Sequence, residues 1–284
     1  LDPILIFGYF GLPRMEVTGA AVATVLGQIV AFILAVILNR KKNTDVQLHL
    51  RGFRPDRHMI GRILGIGIPS MIMVAIGSIM TYCFNRVLGR FNAVSPGLGE
   101  AGISVFGAYF KLQSFVFMPV FGINNAVLAI SAFNYGARKP ERITAVLRWG
   151  ITYSCTLMAI GMAVFLLIPE TLLGIFNPDP LMRTVGIPAL RIMCLPFIPA
   201  GMSIMCSGVF QALDRSIFSM IVSISRQLLV LIPAAYLLSL SGNINAVWLS
   251  YPIAEVVSLL ITVVLMISLY RKKIRPLAQQ PLEN

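Results

Sequence analysis

Two residues of opposite charge, Arg226 and Glu255, each lie near the middle of a long apolar run, at 216–240 and 245–269. A charge at the centre of a bilayer costs from about 2.5 to more than 10 kcal/mol, so it is kept where it is paired, hydrated or used. The short connection between the runs predicts an antiparallel helical hairpin. The helical rise then places Arg226 about 15 Å and Glu255 about 21 Å from the same membrane face. We expect the two charges to approach each other directly or through Gln227 or water, in either a structural or a coupling role.

Four other polar side chains within apolar runs are candidates for a solute path: Asn85, Lys111, Gln113 and Asn124. Gln113 and Asn124 are eleven residues apart, nearly three whole turns, so they share one helix face. Amides on such a face either join helices through hydrogen bonds or line a path, and the sequence leaves both open. Lys111 either extends to the membrane interface or lines an outward-facing cavity.

Residue types that catalysis or metal binding would need are missing from the apolar runs. An intramembrane hydrolase requires paired carboxylates, an H-E-x-x-H motif, or a nucleophile with a nearby base. His49 and His58 lie in a basic loop, and the four cysteines have no C-x-x-C spacing. We therefore expect neither an enzyme nor a metal site.

The composition indicates a membrane protein. Apolar residues make up 57% of the chain and charged residues 12%, about half the charged share of a soluble domain. The net charge of +12 comes from Lys and Arg in short loops between apolar runs. A nucleic-acid surface needs such residues on one folded face, so nucleic acid is not an expected partner.

The apolar pattern predicts an all-α membrane protein with seven transmembrane helices. Each is long enough to cross a hydrocarbon core of about 30 Å. Three prolines, Pro188, Pro196 and Pro199, predict a bend in the fifth. The predicted helices are 17–38, 63–88, 101–134, 146–168, 185–212, 216–240 and 245–269.

The distribution of basic residues predicts the orientation of these helices. Sixteen Lys and Arg residues fall in alternate loops and the tail, and three fall in the opposite loops. Because basic loops stay in the cytoplasm, we expect the N-terminal end outside and the C-terminus inside the cell membrane. The opening "LDPILIFGYFGLP" has no signal-peptide pattern, so we expect the chain to begin at the end of an earlier helix.

Four stretches carry a family resemblance: "ISAFNYGARKPERI", "RIMCLPFIPAGMSIMCSGVFQAL", "SRQLLVLIPAAYLL" and "NAVWLSYPIAE". In this order they resemble the second half of a multidrug and toxic compound extrusion (MATE) transporter. The resemblance implies seven helices of a twelve-helix, two-lobe protein: the first five helices are missing, and six of the seven form one lobe. The implied parts are the sixth helix (1–38), a cytoplasmic linker (39–61), the C-terminal lobe (62–270) and a cytoplasmic tail (271–284).

The resemblance implies an antiporter that is driven by H⁺ or Na⁺ and exports cationic or amphipathic organic compounds. Its expected partners are the lipid bilayer, a small-molecule substrate and the missing N-terminal lobe, and we expect a monomer without a cofactor. Na⁺-coupled members of one branch carry an acid on the first helix of the second lobe, but 63–88 has none. The coupling carboxylates are then in the missing half, or Glu255 contributes.

Two alternatives stay open. A flippase or exporter of lipid-linked precursors or polysaccharide would need several cavity cations, which Arg86, Lys111 and Arg191 could supply. A structural membrane scaffold would have a packed centre in place of a polar cleft.

Overall fold

The computed structural model describes residues 2–8, 13–42 and 56–277, and these residues contain helices and turns but no strand. They divide into two compact units, 1–60 and 61–284. In the first unit, helix α1 is Asp2–Phe7 and helix α2 is Glu16–Lys42. These two helices pack closely at Gly19, where an added Cβ would lie 2.5 Å from the carbonyl oxygen of Leu5.

The second unit contains nearly all of the remaining helices. Helix α3 begins at Arg57, just before the boundary between the units, and is followed by a 3₁₀ turn at Arg90–Ala93. The helices in chain order are α3 (Arg57–Gly89), α4 (Leu98–Gly136), α5 (Pro140–Leu167), α6 (Pro169–Gly174), α7 (Pro180–Met193), α8 (Phe197–Ala212), α9 (Ser216–Ile224), α10 (Ile232–Ser239), α11 (Ile244–Val247), α12 (Ser250–Leu269) and α13 (Arg275–Leu277). Between α9 and α10 the backbone is π-helical at Ser225–Leu231, and a second π-helical stretch, Tyr270–Ile274, follows α12.

Several predicted helix starts are too late. Helix α5 begins at Pro140 and not at 146, and α7 begins at Pro180 and not at 185. Proline fits the first turn of a helix because its missing N–H has no partner there anyway. Before α7, the Asp179 side chain accepts a hydrogen bond from the Met182 backbone N–H at 2.8 Å, which caps the helix. Helices α2 and α3 also extend into the predicted linker, whose residues 43–55 lie outside the described residues.

The predicted bend in the fifth membrane segment is present. Helices α7 and α8 meet at 50°, with Pro196 at the break between them. Within the described part of the chain, six helices are long and apolar enough to cross a membrane, or up to seven if this bent pair is one span. A count of six is therefore the plain observation, and the predicted count of seven depends on the bent pair.

Aromatic side chains connect the helices of the second unit. The rings of Phe84 on α3 and Phe106 on α4 stack with centroids 4.6 Å apart. Tyr251 on α12 meets Phe84 edge-on at 5.5 Å, and Phe165 on α5 meets Phe197 on α8 at 5.2 Å. Such pairs add about 0.5–1.5 kcal/mol each beyond the apolar area that they bury. They join α3 to α4 and α12, and α5 to α8.

Small residues let α8 approach its neighbours. An added Cβ at Gly201 would lie 2.6 Å from the Ser154 hydroxyl on α5, and one at Gly208 would overlap the Asn124 amide on α4. Close contact at small residues is the usual basis of helix association in lipid. In contrast, large apolar side chains such as Phe115, Phe133 and Leu167 are more than three-quarters exposed, which suits a surface that faces lipid acyl chains.

Candidate functional site

A cavity of about 460 Å³ lies among α3, α4, α8, α12 and the π-helical stretch. Most of its wall is aromatic or aliphatic, and its polar lining comes from a few side chains. Tyr109, Phe197 and Tyr251 belong both to this wall and to the aromatic centre of the unit. A largely apolar wall with a few polar groups is typical of sites for small organic molecules. We call this space the central cavity.

Arg226 and Glu255 lie side by side at the central cavity. The Nη1 atom of Arg226 donates to Oε2 of Glu255 over 3.4 Å. The Arg226 side chain is 30% exposed and that of Glu255 is 7% exposed, so the arginine forms more of the accessible surface. The predicted approach of the two charges is direct, although the distance is long for a charge-assisted hydrogen bond.

The π-helical stretch Ser225–Leu231 carries three of the residues that line the central cavity: Arg226, Gln227 and Leu231. A π-helical turn contains an extra residue, so it shifts the direction of the side chains relative to an α-helix, and such turns are frequent at functional sites. Here the stretch places Arg226 beside Glu255 on α12, and Gln227 beside α3. An added Cβ at Gly77 would lie 3.7 Å from Oε1 of Gln227.

A second cavity, of about 550 Å³ and more open, lies along α3. We call it the side cavity. Its polar lining includes Ser78, Thr81 and Asn85, which recur at intervals of three and four residues and so share one face of α3. Met80, Phe110 and Gln227 line both cavities. These three side chains therefore form a wall that the two cavities share.

Two of the four path candidates line a cavity, Asn85 the side cavity and Gln113 the central one. Asn124 does not: it packs against Gly208, where α4 and α8 are closest. Lys111 is exposed and lies over the ring of Phe176, 5.9 Å from the ring centroid. Lys111 lines neither of the two cavities.

Sequence reasoning did not identify which residues form the aromatic wall of the central cavity. Phe110, Phe117 and Phe121 recur along α4 at spacings of seven and four, close to the face that Gln113 occupies. That spacing was visible in the sequence, but it is equally typical of a lipid-facing stripe. Tyr251 on α12, whose hydroxyl is buried without a hydrogen-bond partner in the described chain, carried no such signal.

The polar atoms at the cavities are poorly paired. In the part of the chain that the structure describes, Asn85 Oδ1, Gln113 Oε1 and Glu255 Oε1 are buried and have no hydrogen-bond partner. Buried polar atoms are usually satisfied, so these three are exceptions, and ordered water could satisfy them. Among the same residues, no three His, Cys, Asp or Glu side chains come together as a metal site would need.

Comparison with known proteins gives a consistent result. The MatE family model matches residues 69–237, more than half of the chain. The multidrug export protein MepA of Staphylococcus haemolyticus is 26% identical over 270 residues, which cover 95% of this chain and 57% of the relative. The probable multidrug resistance protein YoeA of Bacillus subtilis is 26% identical over 269 residues, covering 92% of this chain and 56% of that protein.

Solved structures show the same fold. An outward-facing MATE family multidrug resistance transporter matches 99% of this chain and 60% of its own with a TM-score of 0.83, at 24% identity. A MOP superfamily transporter from Pyrococcus furiosus matches with the same TM-score and coverage, at 25% identity. The chain spans a little over half the length of the relatives that it matches. It is a multi-pass membrane protein whose named relatives are transporters and not enzymes, and it belongs to the MatE family.

Proposed function

We propose that this chain contributes the cavity-bearing C-terminal part of a multidrug exporter. The observation that carries the proposal is the central cavity, whose aromatic and methionine wall surrounds one charge pair inside a membrane domain. Met80 and Met118 add flexible, polarizable surface that can adapt to different solutes. Relatives described as multidrug export proteins support the same reading.

The finer parts of the proposal come from the family resemblance. We propose that export is coupled to inward flow of H⁺ or Na⁺, with the C-terminus in the cytoplasm and no organic cofactor. The substrates are amphipathic organic compounds, and the preference for cationic ones stays a prediction. Proteoliposomes given either a Na⁺ gradient or a pH gradient distinguish the two ions, because only the coupling gradient drives uptake of a fluorescent substrate.

A change in the volume of the central cavity tests the export function. Ala200 lines the cavity and is buried, so Ala200→Phe adds a ring to it. The assay expresses the native gene in a host that lacks its own multidrug exporters and measures accumulation of a fluorescent aromatic compound. We expect the wild type to lower accumulation and Ala200→Phe to restore it.

The matched control is Ala163→Phe, the same change at an exposed position of α5 that lines neither cavity. It should export like the wild type, and immunoblots of the membrane fraction should show equal amounts of all three proteins. Normal export by Ala200→Phe, or no export by the wild type, would contradict the proposal.

The flippase alternative receives less support from the geometry. Its three candidate cations, Arg86, Lys111 and Arg191, line neither of the two cavities. Arg226 supplies one positive charge at the central cavity, but a lipid-linked phosphate would need several positive charges. Loss of precursor export in a Lys111→Ala variant, with unchanged drug resistance, would favour the flippase.

A further inference from the structure

We propose that the cavity-facing side of Arg226 is a binding site for the anionic group of aromatic organic acids. The inference rests on the proposed export function and specifies the substrate class at this part of the path, where it replaces the cationic compounds that the family resemblance implies.

The accessible charge of the Arg226–Glu255 pair is positive. Oε2 of Glu255 is in contact with the guanidinium, and Oε1 is buried. Glu255 also lines the cavity, but its side chain is only 7% exposed, so a solute meets little of the carboxylate. The arginine side chain is 30% exposed, so a solute can reach it directly.

The guanidinium also has unused hydrogen-bond donors. Arginine carries five N–H groups in a planar fork that matches two oxygens of a carboxylate, sulfonate or phosphate. Within the described residues, Arg226 makes one hydrogen bond, the 3.4 Å contact with Glu255. An anionic group in the cavity would receive donors that the protein itself leaves free.

The body of the solute should be aromatic. Six aromatic rings line the central cavity and offer faces and edges to a planar solute: those of Tyr109, Phe110, Phe117, Phe121, Phe197 and Tyr251. A cavity of about 460 Å³ is within the size range of small-molecule sites. Gln113 and Gln227 supply polar contacts beside the rings.

Aromatic rings attract cations as well, so the wall alone does not decide the charge of the solute. The arginine decides it, because a cation among these rings would lie near a partly exposed guanidinium, whereas the Glu255 carboxylate is already paired and mostly buried. Two like charges in a low-dielectric space repel each other strongly. An aromatic acid gains both the rings and the guanidinium.

Three probes with the same ring system and different charge test the proposal: 2-naphthoate, its neutral methyl ester, and 2-naphthylmethylammonium. The protein is purified in nanodiscs of phosphatidylcholine, and binding is measured by equilibrium dialysis, with empty nanodiscs subtracted. We expect the naphthoate to bind about tenfold or more tightly than the ester, and the ammonium compound to bind more weakly than the ester.

Variants of the pair assign the preference to Arg226. Arg226→Lys should keep part of the preference for the anion, because it keeps the charge and loses the fork. Arg226→Met combined with Glu255→Met should abolish the preference while leaving no unpaired charge that impairs folding. The matched control is Arg183→Met, which removes a positive charge at an exposed position outside both cavities and should bind all three probes like the wild type.

Three results would overturn the proposal. One is tighter binding of the ammonium compound than of the naphthoate, and another is an undiminished anion preference in the Met–Met variant. The third is loss of naphthoate binding when the nanodiscs contain phosphatidylglycerol, since the guanidinium would then serve a lipid phosphate. Each result leaves the export assay with Ala200→Phe unaffected, so failure of this inference is distinct from failure of the proposed function.

Discussion

Replacing Glu255 by Gln tests whether the charge pair stabilises the helical hairpin. The change keeps the shape of the side chain and removes its charge. Among the described residues, Glu255 is the one ion-pair partner of Arg226, so the guanidinium loses its counter-charge. Breaking a fully buried pair in this way costs about 3–5 kcal/mol.

The Arg226–Glu255 pair is only partly buried, so the expected loss of stability is smaller than that for a fully buried pair. At 3.4 Å and an effective dielectric constant of about 20, the attraction between the two charges is about 5 kcal/mol before desolvation is subtracted. Arg226 is 30% exposed, so in the variant its guanidinium can still take up water and recover part of the loss. We therefore expect Glu255→Gln to lower the free energy of unfolding by about 1–3 kcal/mol.

The assay is reversible unfolding in mixed micelles, in which the mole fraction of sodium dodecyl sulfate is raised and helicity is followed by circular dichroism. The double variant Arg226→Met with Glu255→Met should be more stable than Glu255→Gln, because it leaves no unpaired charge. The control is Glu16→Gln, which breaks the Arg14–Glu16 pair at 3.6 Å, where both side chains are 69% exposed. That change should stay within about 0.5 kcal/mol of the wild type.

Wild-type stability in Glu255→Gln would refute the structural role. If that stable, correctly inserted variant had also lost transport, a coupling role for Glu255 would replace it. A double variant less stable than Glu255→Gln would contradict the expectation, because it would show that the attraction within the pair stabilises the protein by more than the desolvation of the two charges costs.

Two further pairs of variants test the helix packing of the second unit. Gly208→Ala places a methyl group where the Asn124 amide lies, so we expect it to lower the free energy of unfolding by about 1–3 kcal/mol in the same assay. Its control is Gly107→Ala, which has nothing within 4 Å of the added Cβ and should not destabilise the protein. Equal effects of the two changes would contradict the close contact between α4 and α8. Tyr109→Phe removes the hydroxyl that donates to the Met193 carbonyl at 3.1 Å and should lower the free energy of unfolding by about 0.5–1.5 kcal/mol. Tyr251→Phe removes a buried hydroxyl that has no hydrogen-bond partner among the described residues and should not lower it. A larger loss for Tyr251→Phe than for Tyr109→Phe would contradict this assignment of hydrogen bonds.

Much of the helical plan was predictable because it depends on local properties of the chain. Long apolar runs must become helices in lipid, since their backbone groups can be satisfied there only within the segment. The bend between α7 and α8 followed from the prolines of that segment, because proline removes a hydrogen bond and clashes with the preceding turn. Helix starts were missed where a proline or a capping aspartate, such as Asp179, extends the helix beyond its apolar run.

The central cavity was only partly predictable. Arg226 and Glu255 meet because their depths on adjacent helices match, and depth can be counted along a sequence. Gln113 and Asn124 share a face of α4 and still have different surroundings, because α8 comes close to α4 at Gly208. Such convergence depends on how helices tilt against each other, which residue spacing within one helix does not contain.

The π-helical stretch changes how the charge pair is understood. A π-turn contains one residue more than a turn of α-helix. In a regular α-helix from Ser216 to Ser239, the side chains after the π-helical stretch would therefore be rotated by about 100° relative to those before it. Arg226 and Leu231, which both line the central cavity, are five residues apart, and the i→i+5 spacing of a π-helix places them on one face. The π-helical stretch therefore presents Arg226 to both Glu255 and the central cavity. A structural role and a solute-binding role for Arg226 are then two results of one backbone irregularity.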